Sequence, residues 1–122
     1  MIPIIYKTRD ELLKVDLDKL IYAEADSNYV HLHFRNGMSP VVMLSLQQIQ
    51  DTIQKYGTPD VQGRFIRIGR RFIIDRRYVA QINIPKQHLI LTDWDVIQPI
   101  RLSVSKEALK SLKQTLSENT ER

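Results

Sequence analysis

Residues 64–78, RFIRIGRRFIIDRRY, interleave isoleucine and phenylalanine with arginine around a Gly-Arg-Arg break, and that interleaving narrows what the chain can fold into. The two apolar runs are rich in strand-forming residues and are separated by a turn signal, so they predict short strands over 64–68 and 72–75. Phe65, Ile66, Ile68, Phe72, Ile73 and Ile74 then belong to a core. Six of these fifteen residues are arginine, opposed locally only by Asp75. The segment must therefore serve a core and a partner at once.

Charge is distributed to match. The net charge is only +4, but residues 1–60 carry −2 and residues 61–122 carry +6. A concentrated basic patch on a modestly charged chain points to a polyanionic partner. The competing reading is an arginine-rich sheet face that is merely solvated. The 122 residues suffice for one hydrophobic core, and 43% hydrophobic content argues against a disordered chain. With no cysteine, disulfide frameworks, thiol catalysis and cysteine-based zinc sites are all excluded. No apolar run approaches a membrane span and the first ten residues do not resemble a secretion signal, so a cytoplasmic protein without membrane insertion is expected.

Short strands dominate the rest. Residues 2–7 and 11–15 form a pair around Thr8-Arg9-Asp10, and 20–24 form a compact apolar strand. In 29–34, YVHLHF, the alternation sends Val30, Leu32 and Phe34 one way and Tyr29, His31 and His33 the other. Asn36-Gly37 signals a tight hairpin, with 41–44 as the returning strand. The period then changes. Leu46, Ile49, Ile53 and Tyr56 recur at helical spacing, Ser45 and Gln48 have the form of a capping box, and Gly57 is the expected stop. Further strands are expected at 78–84, 88–92 and 96–102, with Asp93-Trp94-Asp95 at a hairpin tip and Pro85 and Pro99 at strand ends. Ser105 caps a terminal helix with Glu107 in its first turn and a stripe of Leu109, Leu112 and Leu116. The expectation is a mainly β fold with minor α: one domain over 1–116, about ten short antiparallel strands, one central and one C-terminal helix, and a frayed tail over 117–122.

Nothing in the chain asks for an enzyme, a cofactor or a metal. His31 and His33 share a strand face at a spacing two metal ligands could use, but His88 is far along the chain and no third ligand is evident. Glu24 and Asp26 are close enough for a carboxylate pair, yet acidic residues at a strand-to-loop transition are usually solvated or capping. In EADSNYVHLHF, by contrast, Asp26-Ser27-Asn28 reads as a loop that delivers Asn28 and Tyr29 at the mouth of a hairpin. Asn can make a bidentate contact to adenine, and Tyr can reach phosphate or pack on a sugar. An ordinary Asx-type turn is the competing reading.

Four segments, LIYAEADSNYVHLHF, SLQQIQDTI, FIRIGRRFIIDRRYV and IRLSVSKEALKSL, occur in the order and spacing of the LytTR DNA-binding domain, and over roughly residues 4–112 the chain resembles that family. The family serves as the output module of bacterial response regulators. The resemblance implies a β-rich fold and sequence-specific binding of double-stranded promoter DNA, with loops in two successive major grooves and another across the minor groove between them. It carries DNA contact over to Asn28 and Tyr29, to Arg70 and Arg71 in the turn between the two central strands, and to Ser105 and Lys106 at the opening of the last helix. Arg76 and Arg77 are expected to touch a phosphate or pair with an acidic neighbour, and Arg64 and Arg67 to be structural.

Two departures stand out. Where the family commonly shows HRS, this chain has Gly69, Arg70 and Arg71. Where an arginine often follows VS, it has Lys106, whose ammonium cannot form a planar bidentate fork. The 122 residues contain no receiver domain, so control of this module is expected from a regulatory partner protein, from expression level or from a membrane-bound antagonist. Repeated DNA sites would hold two copies. The rival function is a protein-interaction or regulatory module that keeps the fold without reading DNA. RNA binding would ask for exposed aromatic platforms, and with only Tyr29 and Trp94 as obvious candidates the sequence argues against it.

Overall fold

The computed structural model describes residues 1–95 and 98–117. Its contacts cluster into two compact units, Met1–Asp75 and Arg76–Arg122. Among the described residues no helix is long and apolar enough to cross a membrane.

The first unit opens with an antiparallel ribbon of β1 (Pro3–Lys7) and β2 (Leu12–Asp16). Its alternation is real. Ile4, Tyr6, Leu13 and Val15 pack inward on the core, whereas Ile5 and Leu12 are exposed. Asp16 then organises the chain's re-entry, because its carboxylate accepts hydrogen bonds from the Ile2 and Asp18 N–H groups at 2.8 and 3.0 Å. The latter caps a 3-10 turn at Leu17–Lys19 that the sequence reading did not contain.

Next come β3 (Leu20–Asp26), β4 (Tyr29–Phe34), β5 (Val41–Val42), β6 (Phe65–Ile68) and β7 (Phe72–Asp75). They form one antiparallel sheet in the order β5-β4-β3-β7-β6. The expected faces are observed in β4: Val30, Leu32 and Phe34 are buried, and Tyr29 is exposed. β3 is two residues longer than expected, which shrinks the Asp26–Asn28 loop to a two-residue turn with Asp26 opposite Tyr29. β5 is shorter than the expected 41–44, and its two residues pair with Val30 and His31.

Helix α1 (Leu46–Tyr56) covers the sheet, placing Leu46, Ile49 and Ile53 against Ala23, Val30, Leu32 and Ile73. Both halves of the predicted capping box form: the Gln48 N–H donates to Ser45 Oγ at 3.0 Å, and the Ser45 N–H donates to Gln48 Oε1 at 2.8 Å. Gly57 ends the helix without a left-handed backbone, at φ −80°. It is needed for another reason, since a Cβ there would stand 2.5 Å from the Ile53 carbonyl oxygen.

A short helix α2 (Pro59–Arg64) follows, where no element was expected, and the strand expected at 64–68 starts one residue later. Its signal was present in Thr58-Pro59-Asp60. The Thr58 hydroxyl accepts from the Val61 N–H, and proline occupies the first turn.

The second unit begins with a 3-10 turn at Arg76–Tyr78 and holds a three-stranded antiparallel sheet, β10-β9-β8, of β8 (Val79–Asn83), β9 (His88–Leu91) and β10 (Ile100–Ser103). Helix α3 (Lys106–Ser117) packs against β8 and buries Leu109 and Leu112. Trp94 sits between β9 and β10 with positive φ and 83% exposure, as a hairpin-tip residue would. The strand expected at 96–102 is observed as Ile100–Ser103, and its first two residues lie outside the described residues. Of the tail expected to fray, Ser117 is the last residue of α3, and 118–122 lie outside the described residues.

Candidate nucleic-acid interface

Six arginines in one short segment meet very different fates. Arg64, at the end of α2, has a side chain only 13% exposed; it donates to Asp18 Oδ1 at 2.5 Å and to the Asp18 carbonyl at 3.0 Å. Its Nε faces the fully buried Asp75 at 3.6 Å, beyond hydrogen-bond distance. That guanidinium holds the Asp18 carboxyl below the usual carboxylate range, chiefly by the hydrogen bond and against the opposing pull of burial. Arg67 donates back to the Gly69 carbonyl at 3.0 Å and across to Gln50 Oε1 at 3.2 Å. Both side chains hydrogen-bond within the fold, Arg64 largely enclosed and Arg67 also lining an open groove shared with Arg70.

The β6–β7 connection is a tight turn over Gly69-Arg70-Arg71. Gly69 adopts φ +55°, a left-handed conformation that glycine takes without steric cost. Beside it the β3–β4 turn places Ser27 at φ 54°, an uncommon conformation for a residue with a Cβ. The two turns lie together because β3 is the strand that pairs with both β4 and β7. The Ala25 N–H donates to the Arg71 carbonyl at 2.8 Å, extending the β3–β7 ladder into the turn.

The consecutive arginines of this turn line different hollows. Arg70 lines an open groove of about 410 Å³ together with Asn28, Tyr29, Arg67, Gln47 and Met43. The walls of this groove carry two guanidiniums and no carboxylate. Arg71 instead lines a second depression with Glu24, Asp26, His31, His33 and Tyr22. Its Nη2 donates to Glu24 Oε2 at 2.5 Å, and its guanidinium lies 5.1 Å from the Phe72 ring centroid. Sequence reasoning thus named Asn28, Tyr29 and Arg70, which the fold brings to one groove, and named with them Arg71, which lines the other hollow. It missed Met43 and Gln47, which no local signal marks, and it missed the role of Glu24 as the partner of Arg71.

The histidines belong to the second depression. His31 Nε2 lies 3.3 Å from Asp26 Oδ2, and His33 Nδ1 is 3.2 Å from the Ser39 hydroxyl. The His33 ring stacks on Tyr22 at 4.2 Å, 9° from parallel. Burial pushes the His33 pKa down, with Glu24 opposing and His31 adding to the shift. Among the described residues no cluster of three or more metal-ligating side chains occurs.

In the second unit, Ser105 precedes α3, and its Oγ accepts from the Ala108 N–H at 3.2 Å. Its hydroxyl is therefore engaged as a helix cap. Lys106 opens the helix and is exposed. Arg76 is half-buried in the 3-10 turn, and Arg77 is exposed beside the Tyr78 ring, 5.8 Å from its centroid.

The β-rich scaffold of short antiparallel strands and a C-terminal helix, with a carboxylate-free basic groove at one of its turns, has the architecture expected of the family the sequence resembles. The family model for the LytTr DNA-binding domain matches residues 10–117, and the chain belongs to that family. This is a family of DNA-binding domains rather than of enzymes. Among solved structures, the chain is similar to one described as the LytTr DNA-binding domain of a methyl-accepting/DNA response regulator from Bacillus cereus. The TM-score is 0.62 at 20% identity, over 95% of this chain and 97% of that one. No curated protein matches significantly.

Proposed function

We propose that the chain binds double-stranded DNA in a sequence-specific manner, as the DNA-reading domain of a bacterial transcription regulator. The observation that carries this reading is the convergence of Asn28, Tyr29 and Arg70 on one open groove without a carboxylate in its walls. Arginine can bridge guanine O6 and N7, asparagine can bridge adenine N6 and N7, and both sit here on turns anchored by a central strand. Phosphate contacts from arginine and lysine position the domain, with Arg76 and Arg77 as candidates. Lys106 supports the reading from the second unit. A cation at the first position of a helix opposes the helix dipole, so local helix stability gives no reason for it. Ser105 contributes by capping the helix that presents this lysine.

The test is selection on randomised duplex DNA at two salt concentrations. Enrichment of one motif that persists at the higher salt is expected, with about four to six neutralised phosphates giving a log–log salt slope near −4 to −5. Sequence-blind binding that disappears with salt would sink this reading. It would favour the rival, a protein-interaction module, for which the exposed Ile5 and Leu12 on the β1–β2 ribbon offer a surface.

A further inference from the structure

Two neighbouring turn residues carry the same charge into opposite electrostatic surroundings. The Arg70 groove has guanidiniums from Arg67 and Arg70 and no acid. The Arg71 depression has carboxylates from Glu24 and Asp26 and one guanidinium, so with neutral histidines its walls carry one net negative charge. Glu24 is rigidly placed to hold Arg71: it sits on β3 opposite His31 of β4 on one side and Phe72 of β7 on the other. Its side chain is 27% exposed, against 60% for Arg71. The Arg71 backbone is fixed by the Ala25 N–H, its guanidinium by Glu24, and its plane lies near the Phe72 ring.

We propose that Glu24 is a specificity-determining positioning residue: it ties Arg71 into the acidic depression and so removes it from the cations free to bind DNA phosphate. The proposal rests on the DNA-reading function above and says which of the two turn arginines performs it. Phosphate contacts carry no sequence information, so a free arginine outside the reading groove adds affinity for any duplex, in any register, that comes within its reach. A duplex seated on its preferred sequence is held where Arg70 and Asn28 meet base edges, away from the Arg71 depression. A random duplex has no such register and settles wherever cations are available. An untethered Arg71 would therefore help wrong sequences more than the right one.

The experiment compares binding of the selected motif and of a scrambled duplex, over a salt series, for the full chain and its variants. Glu24→Gln is expected to strengthen scrambled-duplex binding on the order of 5–10-fold at 0.1 M salt, to steepen that slope by about 0.9, and to lower the ratio of motif to scrambled affinity. In an Arg71→Ala background the same substitution should leave the slope unchanged. A slope change that persists there would mean that Glu24 does not act through Arg71, which overturns the proposal.

Arg71→Ala avoids any folding defect on the central strand, because the residue lies in an exposed turn. It should leave the scrambled-duplex slope unaltered, whereas a loss of about 0.9 would show Arg71 already engaged with phosphate and overturn the proposal. The tether is also read without DNA, from the side-chain Nε–H resonance of Arg71 in the free protein. Ordered in the wild type and averaged in Glu24→Gln is expected, and identical behaviour in both overturns the tether itself. If the tether is present but no motif is enriched, the DNA reading has failed, and the specificity role fails with it.

Discussion

Arg64 and Arg70 lie a few residues apart on either side of β6, and the molecule uses them in opposite ways. Arg64 is enclosed, bound to Asp18 and facing Asp75. Arg70 stands exposed on the lip of a groove, with hydrogen-bonding side chains beside it. An identical side chain is engaged within the fold in one place and left facing an open groove in the other. What separates them is whether a carboxylate is within reach, not how basic the surrounding sequence is.

That contrast is broken most severely at the enclosed end. Arg64→Ala removes one partner of a largely buried ion pair and should cost about 3 kcal/mol of stability, read by chemical denaturation. The same pair sets an acid limit. Because the Asp18 pKa is lowered in the folded state, its stabilisation is complete above the unfolded value of 3.8 and is lost as pH falls through the lower folded value. Acid unfolding of Arg64→Ala should therefore show less of this dependence below about pH 4. An unaltered acid limb would mean that Arg64 does not carry the effect.

The offered end should behave conversely. Arg70→Ala should lower discrimination for the selected motif by about 1–3 kcal/mol, visible as a relaxed consensus in repeated selection. Thermal unfolding should hardly move, since the side chain packs on nothing that needs it. A variant weakened equally on all sequences would assign Arg70 to phosphate and not to a base.

Between the two arginines lies Gly69. Nothing lies within 4 Å of a Cβ built there, so Gly69→Ala has room but must adopt φ +55°. A penalty of about 1 kcal/mol is expected from backbone strain alone. A loss several times larger would point to a displaced turn, and motif discrimination should then fall along with stability.

The smallest effect concerns His33, held against Tyr22. A lowered folded pKa keeps the imidazole neutral, so its contribution is complete above the ordinary value of 6.5 and is lost as pH falls through the folded value. Ring-proton shifts followed over pH should show His33 titrating below 6.5, and lower still in Glu24→Gln, where an opposing charge is gone. Titration above that value would contradict the burial seen here.

Features decided within a few residues were legible from sequence. The alternation in YVHLHF, the Ser45–Gln48 capping box and the Ser105-capped terminal helix each rest on neighbours along the chain, and each appears in the structure. Helix α2 carried a legible signal in Thr58-Pro59-Asp60, hidden because the arginine-rich run after it reads as strand. The partition of the arginines was harder. Arg64 finds Asp18 and Arg71 finds Glu24 across long stretches of chain, through strand register that no local pattern encodes. Resemblance to a family singled out the Arg70-Arg71 turn, but it could not say that one of its two arginines is already engaged with Glu24.

The brevity of β5 has a consequence for how copies of this domain can live side by side. Val41–Val42 closes one side of the five-stranded sheet, and Pro40, which has no N–H to donate, stands directly before it. At this edge a neighbour finds only two residues of ladder on which to add a strand, too little to seed a continuous intermolecular sheet there. Copies crowded against one another gain little by joining through this side of the sheet.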